Sequence, residues 1–178
     1  MIAGASSVEK RVLRCAKDDK EKNWGWVMLV GVISDTHGLL RPETLVALAE
    51  VEHILHAGDV GDIAILRRLE EIAPVTAIRG NVDVRGECAA LPATEAVELG
   101  GRLFYLVHSV RDLDLNPVTA GLSVVVSGHS HKAGVEWKDG VMYLNPGSAG
   151  PRRFSLPVTM ALVTVSEAGV GAVVEELL

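Results

Sequence analysis

Two histidines stand one residue apart in the stretch VSGHSHKAG, residues 126–134, where an apolar run ends. Alternate side chains of an extended chain point the same way, so His129 and His131 would face one side. Two neutral imidazoles on one side are typical of a metal site, although a polar loop can also carry such a pair by chance. The significance of the pair therefore depends on which other residues reach the same place.

Metal-binding side chains follow the other apolar runs as well. A carboxylate, a carboxamide or an imidazole stands after each of five runs, usually beside a glycine. The full set is Asp35, His37, Asp59, Asn81, His108, His129 and His131. Ligand sites of open α/β sheets form beyond the carboxyl ends of the strands, where several loops converge. A shared metal centre is the simplest explanation for the same chemistry at five strand ends.

The types of donor indicate which metals would bind. Imidazole nitrogens and carboxylate or amide oxygens without thiolates suit Mn, Fe, Zn, Co or Ni better than a structural zinc. Seven donors are too many for one tetrahedral ion but suit two ions about 3.5–4 Å apart that share a carboxylate. Water held between such ions becomes hydroxide near neutral pH and attacks phosphorus in line. The donor set therefore predicts a dinuclear centre for phosphate-ester hydrolysis.

Short strands that alternate with helices would position the donors in the first half of the chain. Continuous apolar runs predict strands over residues 28–34, 53–57 and 75–79. Apolar residues at helical spacing predict helices over residues 42–50 and 63–72, the second capped by Asp62. This alternation predicts parallel strands joined by right-handed crossovers.

The second half of the chain is richer in hairpin signals. Gly100-Gly101 and Asp139-Gly140 predict two tight hairpins. Further strands are predicted over residues 123–127, 158–165 and 170–175, and a short helix over 115–120. We predict one α/β domain over residues 28–178, with two mixed β-sheets sandwiched by helices. Residues 1–27, which include the charged run KDDKEK, are predicted to form a peripheral, partly disordered extension.

Composition sets limits on the function. The 178 residues are 48% hydrophobic but only 4% aromatic, so aliphatic side chains must fill the core. A net charge of −6 offers no general attraction for a nucleic-acid backbone. The two cysteines are far apart and form no disulfide framework, which favours a cytoplasmic location. No apolar run reaches the roughly 18 residues that a membrane helix needs.

The order of the motifs resembles a known family. DTHG, GDVG, RGNVD, GHSH and LNPGS, spread over residues 28–175, resemble the calcineurin-like metallophosphoesterases and most closely their YfcE-like branch. This resemblance implies a four-layer αββα sandwich and a small phosphodiester substrate, with a dimer or tetramer as the assembly. It also implies two divalent transition metals, with Mn placed first and Ni, Co, Zn or Fe as alternatives.

The resemblance further implies a role for each donor. Asp35, His37 and His131 would hold the first ion, whereas Asn81, His108 and His129 would hold the second. Asp59 would bridge the two ions, and Asp59, Asn81 and His108 are the expected catalytic residues. Many members of the family carry a histidine after the Gly-Asn pair, which protonates the leaving group. The YfcE-like branch commonly lacks it, and this chain has Val82 there, so poor leaving groups should react slowly.

Several alternatives stay open at this stage. The same fold could serve as a non-catalytic protein-binding scaffold, because the retromer scaffold subunit resembles this branch and acts through protein contacts. It could also serve as a nuclease of the same superfamily. A scaffold would be expected to lose metal ligands, and a nuclease would need a basic approach surface. Asp83 could orient Asn81 or belong to an ordinary turn, and Arg152 and Arg153 are candidate phosphate contacts. His56 is predicted to be a core or partly exposed histidine and not a ligand.

Overall fold

The computed structural model of the chain describes residues 26–153 and 155–178. The predicted extension over residues 1–27 lies outside this part of the chain, apart from its last two residues, and stays a prediction. The described residues build two five-stranded sheets that pack face to face.

The first sheet contains the three parallel strands predicted in the first half of the chain. Its strands are β1 (Val27–Ile33), β2 (His53–His56), β3 (Val75–Ala77), β9 (Thr159–Ser166) and β10 (Gly169–Glu176), arranged β10-β9-β1-β2-β3. β1, β2 and β3 run parallel, while β9 pairs antiparallel with both β1 and β10. The sheet is therefore mixed, and its parallel half directs the chain after β1, β2 and β3 to one edge.

The second sheet is also mixed. Its strands are β4 (Thr94–Leu99), β5 (Arg102–Val107), β6 (Val124–Val126), β7 (Gly134–Lys138) and β8 (Val141–Asn145), arranged β4-β5-β6-β8-β7. β5, β6 and β8 are parallel, whereas β4 and β7 pair antiparallel with β5 and β8 across tight turns. The residues after β5 and β6 consequently leave the sheet at the same end.

Two short helices cover the outer face of the first sheet. They are α1 (Pro42–Ala47) and α2 (Ile63–Glu70). α1 has a proline in its first turn, and the Asp62 side chain caps α2 by accepting a hydrogen bond from the backbone N–H of Ala64. Within the described residues, neither these helices nor the short 3₁₀ segments are long and apolar enough to cross a membrane.

The predicted helix over residues 115–120 is wrong. A 3₁₀ turn forms at Val110–Asp112, and only one further turn follows, in which the backbone N–H of Ala120 bonds to the Asn116 carbonyl. Gly121 then takes a positive φ of 71°, which ends the turn. A single turn fixes too few hydrogen bonds to continue as a helix. The outer layer over the second sheet is therefore built from turns.

Three apolar clusters stabilise this arrangement. The first fills the space between the sheets, with Phe104 and Met142 among its largest side chains. The second lies under the helices, where Leu48 and Leu69 are fully buried. The third packs Tyr105 and its neighbours under the turns of residues 113–122. The fold prediction of two mixed sheets between outer layers is thus confirmed.

His56, at the end of β2, is fully buried and neutral. Its Nδ1 accepts a hydrogen bond from the backbone N–H of Gly58 at 3.3 Å, so the proton of the neutral ring is on Nε2. Nε2 then donates to the Thr36 hydroxyl at 2.9 Å, and that hydroxyl donates to the Val60 carbonyl at 3.0 Å. Burial lowers the pKa of His56 to about 4. The prediction of a core histidine is confirmed, and its ring connects the segments that follow β1 and β2.

This buried ring predicts a pH-dependent loss of stability. In the unfolded chain His56 takes up a proton near pH 6.5, whereas the folded chain resists protonation until about pH 4. The free energy of unfolding should therefore fall as pH drops from 6.5 to 4.5, by about 2–3 kcal/mol from this residue. His56→Gln keeps a donor for Thr36 and does not titrate, so its loss over the same range should be smaller by that amount. Urea unfolding at several pH values in the presence of a chelator measures both slopes; equal slopes would contradict the assignment.

Candidate metal centre

The seven predicted donors come together at one end of the sandwich. They extend from the loops after β1, β2, β3, β5 and β6, as the positions in the sequence predicted. Two clusters of donor atoms are present. The first donor group is Asp35, His37 and His131, and the second donor group is Asn81, His108 and His129.

The first donor group converges on a carboxylate oxygen of Asp35. Nε2 of His131 lies 3.3 Å from Oδ1 of Asp35, and Nε2 of His37 lies 3.8 Å from the same oxygen. The two imidazoles stack with their Nε2 atoms 3.4 Å apart. Asp35 is fully buried, and both imidazoles are only slightly exposed. Three donor atoms thus face one small volume from two loops that are far apart in the sequence.

The second donor group converges on the amide oxygen of Asn81. Nε2 of His108 lies 3.1 Å from Asn81 Oδ1, and Nδ1 of His129 lies 2.9 Å from the same oxygen. The other ring nitrogen of His108, Nδ1, donates a hydrogen bond to the Ala57 carbonyl at 2.7 Å. That hydrogen bond fixes the neutral tautomer of His108 with an unprotonated Nε2, which is the form a metal ligand needs.

Asp59 lies between the two groups. Its Oδ2 is 3.8 Å from Nε2 of His37 in the first group and 3.4 Å from Nε2 of His108 in the second. Its Oδ1 accepts a hydrogen bond from the backbone N–H of Val82 at 2.9 Å, which holds the carboxylate in this orientation. One side chain is therefore within reach of donors from both groups.

The donor residues have an unusual backbone conformation. Among the described residues, positive φ values at positions other than glycine occur at six places, and five of them are predicted donors. These five are Asp35, His37, Asp59, His129 and His131, with φ between 46° and 65°. The left-handed region costs a non-glycine residue about 1 kcal/mol or more. Strained backbone of this kind clusters at functional sites, where the surrounding structure maintains it.

Two glycines allow the donor loops to approach closely. A Cβ atom at Gly80 would overlap the backbone nitrogen and the carboxylate of Asp59, and one at Gly128 would overlap Ser34 and lie 2.7 Å from Asp35 Oδ2. Neither glycine has space for a side chain. The glycines beside the donors are therefore required by the packing of one loop against another.

Backbone hydrogen bonds join the loops that follow β1 and β2. The N–H groups of Asp35 and His37 donate to the carbonyls of Gly58 and Asp59 at 3.0 and 2.9 Å. The N–H of Gly38 donates to Val60 at 2.8 Å. Because N–H groups of the loop after β1 donate to carbonyls of the loop after β2, the positions of the Asp35 and Asp59 carboxylates depend on each other.

Asp83 connects the loops that carry Asp59 and Asn81. Its buried carboxylate accepts three backbone hydrogen bonds, from Val60 at 2.9 Å, Gly61 at 2.8 Å and Gly80 at 2.8 Å. The sequence left two interpretations of this residue open. Asp83 supports both loops from behind the donors and is more than part of an ordinary turn.

The Asn-Pro-Gly-Ser segment supports the site from the second sheet. Asn145 donates from its amide to the Gly128 carbonyl at 2.7 Å, and Ser148 donates from its hydroxyl to the Asp35 carbonyl at 3.0 Å. The first bond holds the loop with His129 and His131, and the second holds the loop after β1. Both loops of the first donor group are therefore held by one segment.

Burial has the largest effect on the pKa values of Asp35 and His131. Burial raises the pKa of the Asp35 carboxyl, although hydrogen bonding from Ser34 and the nearby imidazoles oppose this effect. Burial also lowers the pKa of His131, and the charges of His37 and Arg153 act in the same direction. Both shifts disfavour the charged forms of these side chains. A divalent cation would reverse the balance at Asp35, because it stabilises the carboxylate.

Hydrogen bonds and neighbouring charges together outweigh burial at Asp59 and His108. Burial opposes ionisation of Asp59, but its bonds with His108 and with the N–H of Val82 outweigh burial and lower its pKa. Burial likewise opposes protonation of His108, but the contact with Asp59 and the bond to the Ala57 carbonyl raise the pKa of the imidazole. Without a metal the two shifts favour an ionised Asp59 beside a protonated His108, and a cation that binds both side chains would take the place of that proton.

The donor set suits a divalent metal. Oδ1 of Asp35 is buried and accepts no hydrogen bond from any described residue, although it faces two imidazole nitrogens. A buried carboxylate oxygen without a partner is costly, and a bound cation would satisfy it. The group contains nitrogen and oxygen donors and no thiolate, which matches a divalent transition metal.

The two arginines of the late loop differ in position. Arg152 donates to the Leu178 carbonyl at 3.0 Å and is therefore directed towards the carboxyl terminus. Arg153 is near enough to His131 for its charge to affect the imidazole. The charge of Arg153 thus reaches the first donor group, which is compatible with its predicted role as a phosphate contact.

The chain resembles known proteins over most of its length. Residues 28–168 match the model of the calcineurin-like phosphoesterase superfamily domain. A probable metallophosphoesterase of Methanothermobacter thermautotrophicus is 35% identical over 147 residues, which are 76% of this chain and 85% of that protein. A phosphodiesterase of Methanocaldococcus jannaschii is 29% identical over 141 residues, 67% of this chain and 83% of that protein.

A solved structure gives the same fold. Vacuolar protein sorting 29 from Cryptosporidium parvum superimposes with a TM-score of 0.68 over 85% of this chain and 98% of its own. At 20% identity this likeness concerns the fold alone. The match of the domain model and the 35% identity to a probable metallophosphoesterase go further, and with them the chain belongs to the calcineurin-like phosphoesterase superfamily.

Proposed function

We propose that this protein is a phosphodiesterase that depends on two divalent metal ions. The first donor group would hold one ion, the second donor group the other, and Asp59 would bind both. The single observation that carries this proposal is the position of Asp59 Oδ2, within 3.8 Å of an imidazole nitrogen of each group. Two bound ions would activate water for in-line attack on phosphorus and neutralise the phosphate oxygens.

The residues of the chain orient the site for this reaction. Asp83 holds the loop of Asp59 through the N–H of Val60, and the N–H of Val82 holds the Asp59 carboxylate. The Ala57 carbonyl fixes the tautomer of His108. Such supporting contacts set the direction of metal ligands and raise their basicity. Arg153, on the side of His131, is the residue we propose to contact a substrate phosphate.

The preference for diesters is supported by one relative, and one residue limits the leaving group. The relative from M. jannaschii is named a phosphodiesterase, and it shares 29% of aligned residues with this chain. Val82, beside the Asp59 carboxylate and 44% exposed, cannot donate a proton to a leaving group. We therefore propose a small phosphodiester whose leaving group departs without protonation.

The preferred metal rests on the donor types and the family resemblance, and the location rests on the sequence. Mn is our first choice among divalent ions that mixed nitrogen and oxygen donors accept, with Ni, Co, Zn and Fe as alternatives. The predicted cytoplasmic location, which rests on the use of cysteine, and the predicted dimer or tetramer stay predictions.

Replacing the shared carboxylate should abolish turnover. Asp59→Asn removes the charge that would bind both ions, so we expect hydrolysis of bis-p-nitrophenyl phosphate to fall by about a hundredfold or more. The assay uses chelator-treated protein with Mn, Ni, Co, Zn or Mg added back, and calorimetry counts the ions bound. Asp62→Asn is the matched control, because asparagine also caps α2 and the residue is exposed.

The result of this experiment separates the functions that the sequence left open. Loss of turnover in Asp59→Asn together with unchanged activity in Asp62→Asn would support the diesterase. Binding of two ions without turnover of diesters or single-stranded DNA would contradict the enzyme and favour the protein-binding scaffold. Cleavage of DNA in preference to the small diester would favour the nuclease.

The leaving group should control the rate. A diester that releases p-nitrophenolate needs no proton, whereas one that releases an alkoxide does. We expect Val82→His to speed hydrolysis of a dialkyl ester by about tenfold or more and to leave the p-nitrophenyl diester almost unchanged. Equal effects on both substrates would show that position 82 does not act through protonation; Val84→His, on the same exposed loop, is the control.

Asp83 should support metal binding from outside the donor set. Asp83→Asn leaves one acceptor oxygen in place of two, so the three N–H groups of residues 60, 61 and 80 cannot all keep their bonds. We expect Mn affinity to fall by about 10- to 100-fold, with a loss of about 1–3 kcal/mol in stability. Calorimetry measures the first quantity and urea unfolding the second. An unfolding change without any change in metal affinity would contradict a positioning role.

A further inference from the structure

The strand β7 forms an open edge of the second sheet. It is the last strand in the order β4-β5-β6-β8-β7, and all five of its residues are exposed. No other strand of the described part of the chain pairs with its outer side. An open edge of this kind presents unpaired backbone groups to any strand that can match them.

The hairpin turn determines which backbone groups point outward. Asp139 and Gly140 both have positive φ, 52° and 80°, as a two-residue type I′ turn requires. Lys138 and Val141 flank this turn and are hydrogen-bonded partners in β7 and β8. Hydrogen-bonded and non-hydrogen-bonded pairs alternate along an antiparallel ladder, so Trp137 and Val135 belong to non-hydrogen-bonded pairs. Their N–H and carbonyl groups therefore point away from β8.

The side chains of these two residues form an apolar ridge. Val135 lies opposite Leu144 and Trp137 opposite Met142, and both partners belong to the core between the sheets. Val135 is 38% exposed and Trp137 54% exposed. The ridge therefore extends the apolar face of the core onto the edge strand β7.

The two charged residues of β7 are complementary to those of a second, antiparallel copy of the same strand. Glu136 and Lys138 stand on either side of Trp137 and point to the opposite face of the strand. If a second copy of β7 runs antiparallel and is centred on Trp137, each Glu136 lies opposite Lys138 of the other copy. Such a pairing forms two ion pairs, places the two indole rings side by side, and uses the outward backbone groups of both Trp137 residues.

We propose that two copies of this chain pair through β7, in an antiparallel arrangement centred on Trp137, so that their second sheets join into one ten-stranded sheet. The occupant of the edge is a second copy of this chain, because the order Glu-Trp-Lys places opposite charges together when it pairs antiparallel with itself. A parallel pairing would not place each acidic residue opposite the basic one. The proposal does not depend on the proposed catalytic activity.

Charge reversal tests this pairing in the full-length chain. Glu136→Lys makes β7 wholly positive, and Lys138→Glu makes it wholly negative, so each single variant replaces two attractions by two repulsions. We expect each to weaken the dimer by about tenfold or more in sedimentation velocity at low salt. Glu98→Lys, on the exposed face of the edge strand β4, makes the same charge change away from the interface and should have no effect.

Two further combinations distinguish pairing from misfolding. The double variant Glu136→Lys/Lys138→Glu restores opposite charges and should dimerise as the natural chain does. A mixture of the two single variants should form a heterodimer more tightly than either variant pairs with itself. A monomeric natural chain would overturn the proposal. A dimer unaffected by the single reversals would also overturn it.

Discussion

Close backbone contact between the loops after β1, β2 and β3 is the constraint on which the candidate metal centre depends. Gly80 packs against Asp59 with no space for a Cβ atom, and the N–H groups of Asp35 and His37 bond to the neighbouring loop. The donors are therefore positioned by main chain, which has few degrees of freedom, and only secondarily by their own side-chain rotamers. This explains why the donors lie beside glycines and why short parallel strands are sufficient to hold them.

The second sheet supplies the remaining donors and most of their support. Residues after β5 and β6 contribute three imidazoles, while Asn145 and Ser148 bond to loops of both sheets. The site consequently spans the interface between the sheets. Because each donor group takes side chains from both sheets, packing of the central core sets the distances between donors within each group. A substitution that shifts one sheet relative to the other would alter the spacing of the donors even if every donor residue remained.

Much of this architecture could be predicted from the sequence, for identifiable reasons. Continuous apolar runs mark the parallel strands, and chemically similar residues after each run indicate where they converge. The role of Asp83 could not be predicted, because its three hydrogen bonds reach backbone groups up to 23 residues away, and backbone groups carry no sequence signal. The helix expected over residues 115–120 was wrong because a sparse apolar pattern also suits a turn that packs on a sheet.

The left-handed backbone at five donor residues has a consequence for selection in the laboratory. Glycine tolerates this conformation at no steric cost, and asparagine at little cost, so replacing His129 or His131 by either residue would relieve strain in the fold. A library screened only for heat resistance, without metal or substrate, would therefore enrich variants that have lost their ligands. Sequences selected for stability alone would therefore lose metal ligands at positions where the natural chain keeps a left-handed backbone.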